Sequence, residues 1–330
     1  MSLLRPRLSL SLLFALSVAC GGEATPEPAT PGPAPIEAPA PVETAPAPAA
    51  TPAPPPAPPV PVSKLKLQVF TGTPEGFLVT STLVTGEKEA LLIDAAFTLA
   101  DAKKVADMVK ASGKTLTTIY VTHGHPDHYF GAVALKEAFP SVKLVALPAT
   151  VAEIKNTWAP KVKQWKPLYK EAITDKPLIP EPLAAPALEL EGEKLEITGD
   201  VQGDESANSY VWIPSLKAVV TGDIVYDAVF PWTAETTPEQ RKAWIASLDR
   251  LLSLNPVTVV PGHQKPDRKL DTSGIEFTKA YLKAWDEALP AAKNAPELEA
   301  KMKAQYPDAA LDVILKIGSE AAFKKPAKKK

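Results

Sequence analysis

The chain has 330 residues, a formal net charge of -2 and 45% hydrophobic residues, enough for one large domain or two ordinary ones. The balance of 36 basic against 38 acidic residues excludes a chain-wide cationic surface, so nucleic acid is not an expected partner. One Cys excludes an intrachain disulfide and Cys-rich zinc modules, and 37 Pro, roughly double the average share, require a segment that is not globular.

Residues 1–20 read as an export signal. Arg5 and Arg7 precede an apolar run from Leu8 to Ala19, shorter than the about 20 residues a spanning helix needs. Small residues before Cys20, then Gly21 and Gly22, resemble the lipobox of bacterial lipoproteins, in which the Cys becomes the acylated N-terminus. Ser17 departs from that pattern, where Leu is more usual. The expectation is a protein exported to the bacterial cell envelope and tied to a membrane through acylated Cys20; a plain secretory signal is the alternative. Residues 21–62 are almost wholly Pro, Ala, Thr and Glu, with no aromatic residue. Such a stretch cannot offset chain entropy by burial, and its Pro density favours an extended, semi-rigid tether. Residues 324–330 form a basic tail, read as solvated or as drawn to an anionic surface.

Between these ends, residues 63–323 read as one domain. Leu65, Leu67 and Val69 alternate with polar residues as in a half-buried strand. Phe77–Thr85 and Glu89–Asp94 continue as strands around Gly86. Thr98 to Asp101 opens a helix with a capping-box pattern, and Gly113 closes it. Thr115–Val121 and Val142–Ala146 are buried strands. Ile154 to Pro186, with Trp158, Trp165, Tyr169 and several Pro, reads as an irregular insertion. Strands return at Ala187–Leu190, Leu195–Thr198, Ser209–Ile213, Lys217–Thr221 and Val257–Val260. Thr237-Pro238-Glu239-Gln240 starts a helix; Ile275–Leu289 and Pro296–Ala322 are helical. The order suggests two β-layers covered by helices within a single α/β domain.

Chemistry concentrates at Thr122-His123-Gly124-His125-Pro126-Asp127-His128, a loop after a buried strand. Three imidazoles and a carboxylate within six residues are a metal-ligand set: imidazole nitrogen suits zinc, and Asp oxygen is accepted. Gly222-Asp223 and Pro261-Gly262-His263 likewise place an Asp and the fourth His after apolar strands.

These motifs, His-x-His-x-Asp-His, Gly-Asp and Pro-Gly-His, resemble the metallo-β-lactamase-fold superfamily of hydrolases across about residues 64–265. The resemblance implies a four-layer αβ/βα sandwich, here with extra C-terminal helices, and two divalent metal ions, zinc foremost, with iron or manganese also compatible. It implies that His123 and His125 hold the first ion, that Asp127, His128 and His263 hold the second, and that Asp223 bridges them. The family's further His, in a Gly-His-Ser/Thr context, has no counterpart. Asp204 stands in its place within Gly203-Asp204-Glu205-Ser206. Asp204 is the substitute ligand in this reading; Glu205, or an acidic loop that binds nothing, is the alternative. Three carboxylates and a bridging hydroxide would balance two divalent ions, and the added oxygen donor makes the site harder.

The implied activity is hydrolysis of a small-molecule ester, lactone, amide or thioester by a metal-activated hydroxide. Asp127 would orient the nucleophile and carry its proton. Tyr226 would donate to the developing oxyanion, as in lactonases of the superfamily, or is a packed aromatic. Trp158, Trp165, Tyr169, Phe230 and Trp232 would form an apolar wall. Lys161, Lys163 and Lys166 read as solvated surface residues, with a preference for an anionic substrate as the alternative. Two alternatives remain: an iron-dependent oxidoreductase like the persulfide dioxygenases, and a metal-binding scaffold without activity.

Overall fold

The computed structural model describes residues 63–324. The export signal, Cys20 and the tether (1–62), and all but the first residue of the basic tail, lie outside the described residues. Strands β1 (Lys66–Thr71), β2 (Thr80–Thr85) and β3 (Glu89–Ile93) lead to α1 (Leu99–Ser112) and β4 (Thr115–Val121). Then come α2 (Pro126–Tyr129), α3 (Ala132–Ala138), β5 (Lys143–Ala146), α4 (Pro148–Tyr169) and β6 (Glu181–Pro182). The second half holds β7 (Ala187–Leu190), β8 (Glu193–Val201), β9 (Asn208–Ile213), β10 (Ala218–Val220) and β11 (Tyr226–Asp227). It continues through α5 (Pro238–Ser253), β12 (Thr258–Val260) and β13 (His263–Gln264), and ends on α6 (Ser273–Ala288), α7 (Ala295–Gln305) and α8 (Asp312–Phe323).

Strand alternation sorts the side chains into layers. Ala90 and Leu92 of β3 join a core with helices α1 and α3, while Leu91 and Ile93 turn the other way. They meet Leu195, Ile197, Val211 and Val220 of the second sheet. Val219 and Val259, on that sheet's far side, pack with Trp244 and Leu248 of α5 and Ile275 of α6. Three stacked cores require four layers: helices, sheet, sheet, helices. This is the αβ/βα sandwich expected from the sequence. Strands buried on both faces read as continuous apolar runs, as Leu91-Leu92-Ile93 does. The first sheet runs β1-β2-β3-β4-β5-β6, parallel from β3 onward. The second runs β12-β10-β9-β8-β7, with β10 and β12 parallel. The parallel register makes β3, β4, β10 and β12 end at common edges, and the loops there carry the reactive side chains.

Helix α5 shows how one element fixes a site loop. Thr237 and Gln240 form both bonds of the capping box, worth about 1 kcal/mol. Trp244, Leu248 and Leu251 recur on one face and are fully buried, each contributing roughly 1.5–3 kcal/mol. Trp244 also donates its indole N–H to Ile224 O at 2.8 Å, pinning the turn that carries Asp223. Trp244→Ala would cost about 3–5 kcal/mol and release that turn.

Four local expectations are corrected. Of the segment read as irregular, residues 154–169 belong to a 22-residue helix with Pro160 and Pro167 inside it. Seven residues apart, the two prolines share one face, and both are exposed, so water satisfies the carbonyls they leave free. The strand expected from Phe77 starts at Thr80, because Phe77 and Leu78 adopt left-handed backbone after a turn at Pro74–Gly76. The capping box at Thr98 is half made: Thr98 accepts from Asp101 N, but the Asp101 carboxylate accepts from Thr73 N and Oγ1 instead. The last helical stretch is two helices, since Pro307 forces Tyr306 out of helical geometry. Among the described residues, no helix is long and apolar enough to cross a membrane.

Candidate metal centre

Loops at one edge of the two sheets converge. Thr122–His128 follows β4, Asp223 follows β10 and His263 follows β12. Asp204 comes from the turn between β8 and β9. His123, His125, Asp204 and Asp223 offer ligand atoms all within 4.8 Å of one another, and Asp127, His128 and His263 do the same. Asp223 adjoins both groups: its Oδ1 is 3.1 Å from His128 Nε2 and its Oδ2 3.2 Å from His263 Nε2. All seven side chains that the sequence singled out as ligands therefore meet.

Each imidazole is tied at its outer nitrogen to an acceptor. His128 Nδ1 donates to Asp94 Oδ2 at 2.8 Å, and His263 Nδ1 to Phe77 O at 2.7 Å. His123 Nδ1 lies 3.0 Å from Thr122 Oγ1, whose own proton goes to Asp94 Oδ2. His125 Nε2 donates to Glu235 Oε2 at 2.9 Å. With the outer nitrogens held by these acceptors, the inner nitrogens face the cluster and are the ones that would ligate an ion. His123 Nε2, His128 Nε2 and Asp223 Oδ1 are buried and make no hydrogen bond. Buried polar atoms without partners are costly, and a divalent cation is the group that this donor set fits.

Backbone geometry makes the approach possible. Gly222 has φ of +48°, and a Cβ on Gly262 would fall 2.1 Å from Asp223 Oδ1. Electrostatics follow the same arrangement. Burial would raise Asp223, but His263, His128 and His123 outweigh it and hold the carboxyl well below its usual range. Burial alone would lower His128, yet Asp223 and Asp94 raise it. His125 is likewise raised against burial, chiefly by Asp204. Asp204 itself is pushed up to about 6 by burial, with His125 opposing.

Of the two candidates for the substitute position, Asp204 is the one in the cluster: its Oδ2 is 2.8 Å from His125 Nδ1, and Asn208 Nδ2 anchors its Oδ1 at 2.9 Å. Glu205 stays 4.0 Å from the outer nitrogen of His125. Two further residues were missed by sequence reasoning. Asp94 follows the apolar run Leu91–Ile93 as Asp223 follows β10, so the signal was there. Glu235 sits in the turn of residues 233–236 and gives none. Tyr226 does not present its hydroxyl freely to the pocket; it donates to Asp223 Oδ2 at 2.6 Å.

The comparison that decides kinship is the family model of the metallo-beta-lactamase superfamily, which matches residues 74–263, more than half of the chain. The chain belongs to the metallo-beta-lactamase superfamily. Metallo-beta-lactamase type 2 of Bacillus sp. (strain 170) is 26% identical over 205 residues, 61% of this chain and 71% of that one. The type 2 enzyme of Bacillus cereus is 26% identical over 220 residues, 65% of this chain and 77% of that one. Among solved structures, a metallo-beta-lactamase family protein of Thermus thermophilus superposes with a TM-score of 0.58 at 21% identity, covering 78% of this chain and 91% of the other. The likeness at that identity is one of fold. In this member of the superfamily, a cleft with about 640 Å³ of empty space, its mouth included, opens beside Asp223 and His263.

Proposed function

We propose that this metallo-beta-lactamase superfamily member is a metal-dependent hydrolase of a small-molecule ester, lactone, amide or thioester, exported to the bacterial envelope and held there through acylated Cys20. The observation that carries the catalytic part is the set of inward-facing imidazole nitrogens, each ring tied off at its outer nitrogen, gathered with the carboxylates of Asp127, Asp204 and Asp223. His123, His125, Asp204 and Asp223 would hold one ion, and Asp127, His128 and His263 the other, with Asp223 shared. When bound, two divalent ions supply a nucleophile from water at neutral pH and polarise the scissile carbonyl.

The chain's own residues do the rest. Asp127 Oδ2, 3.3 Å from His263 Nε2 and lining the cleft, is placed to orient the nucleophile and receive its proton. Asp94 and Glu235 keep His128 and His125 in the ligating tautomer. The aromatic lining of the cleft excludes water from the reacting group. Export and anchoring rest on the leader, Cys20 and the Pro-rich tether of the sequence.

Metal analysis of the purified full chain, paired with an ester, lactone, β-lactam and thioester panel, tests the reading. Two equivalents of zinc or manganese, and turnover lost in Asp223→Ala, support it. Asp204 replaces an imidazole with a harder oxygen donor, so a single iron would move the protein to oxygen chemistry. No tightly held ion and no turnover would leave an inactive scaffold.

A further inference from the structure

We propose that the cleft beside the ligand cluster selects substrates whose group next to the scissile bond is uncharged and apolar, aryl or branched alkyl, and rejects carboxylate-bearing ones. This rests on the hydrolase reading and adds a substrate class to it.

The lining carries the argument. Phe77, Phe97 and Trp165 pack together, with centroids 5.3 Å apart for Phe77–Phe97 and for Phe77–Trp165. All three line the cleft. Phe230 and Trp232, from the loop after Asp223, add to the lining, and the Trp232 ring meets His125 edge-on at 6.3 Å. Leu311 and Ile314, where α8 begins, complete it. Both lie in the C-terminal helical region, beyond the segment that the family model matches.

Charge is as restricted as shape. Apart from the ligand cluster, the charged lining residues are Lys161 and Glu235. Lys161 is not free: its Nζ donates to Gly124 O at 3.1 Å and lies 3.8 Å from Glu153 Oε1, with the side chain 14% exposed. Lys163 is exposed and outside the lining, and Lys166 donates to Ile173 O. Among the three lysines, none offers the cleft an unengaged ammonium group. Glu235, half-exposed and paired with His125, adds negative charge. The carboxylates of Asp127, Asp204 and Asp223 already offset most of the charge of two divalent ions. A substrate carboxylate here would lose its water and gain no counter-ion, whereas an aryl group gains stacking and burial.

The test uses the full chain, loaded with zinc, and a matched pair of probes, phenylacetamide and 4-carboxyphenylacetamide, followed by quenching of tryptophan fluorescence. The neutral member is expected to bind at least about tenfold more tightly. Trp232→Ala should erase that difference at unchanged metal content, and Trp232→Phe should restore it. Equal or tighter binding of the carboxylate, or no binding of the neutral probe, overturns the proposal. The 4-nitrophenyl esters of phenylacetate and 4-carboxyphenylacetate form the second arm. Selective binding without hydrolysis of either ester refutes the hydrolase reading and leaves the cleft's selectivity standing. Equal hydrolysis of both refutes the selectivity and leaves the hydrolase.

Discussion

Tyr226 donates its hydroxyl to Asp223 Oδ2 across 2.6 Å. The parallel pairing of β11 with β13 sets Tyr226 opposite His263, and the two rings stack 5.2 Å apart at 5°. Burial, and then Asp204 and Asp223, push the phenol well above its usual range, so it stays a donor at neutral pH. That bond would position Asp223, the carboxylate that adjoins both ligand groups. Tyr226→Phe keeps the stack and deletes the bond. Zinc affinity should fall about tenfold, measured by competition with a chromophoric chelator. Unchanged affinity would show that the histidines alone hold Asp223.

His125 lies between two carboxylates, Asp204 on Nδ1 and Glu235 on Nε2. The hydrogen bond to His125 holds Glu235 down to about 2, so it remains a charged acceptor. Glu235→Gln preserves an acceptor without the charge; Glu235→Ala removes both. The alanine variant should bind its more weakly held ion about tenfold less tightly, and the glutamine variant should lie between it and the parent. Nitrogen NMR of His125 gives an independent reading: loss of the Nε2–H tautomer in Glu235→Ala is the expected signature.

Asp204 brings a carboxylate oxygen to within 2.8 Å of His125 Nδ1, where the sequence resemblance implied a further imidazole. Asp204→Ala should leave the chain with fewer tightly held ions, read by elemental analysis after dialysis. Asp204→His should retain both and shift their identity toward zinc when zinc, iron and manganese are offered together, because imidazole is the softer ligand. A variant with the parent's metal ratios would place the site's preference elsewhere.

The sequence made some of this legible and hid the rest for physical reasons. Three imidazoles within six residues have no packing explanation, so the first loop could be read directly. Asp223 and His263 were legible because each follows a Gly at the end of an apolar strand. Asp94 has the same strand-end position, yet its role depends on His128 folding back onto it. The helix through Trp158 and Trp165 was hidden by Pro160 and Pro167, which mark a break only when their freed carbonyls lack water. Glu235 was invisible: nothing in a surface turn announces which imidazole it will meet.

Protons and metal compete for the same nitrogens, and the sign of that competition follows from the shifts. In the metal-free protein His125, His128 and His263 are raised above the ordinary imidazole value; burial opposes the charge, and Asp204, Asp223, Asp94 and Asp127 overcome it. These shifts favour the protonated rings in the metal-free protein, so ligation must displace protons from them. Metal binding should therefore release protons at pH 7, and apparent affinity should fall as the pH is lowered. Calorimetric zinc titrations in buffers of different ionisation enthalpy measure the number. A value near zero would mean that the rings are already neutral at pH 7, and that the carboxylates around them do less than their distances imply.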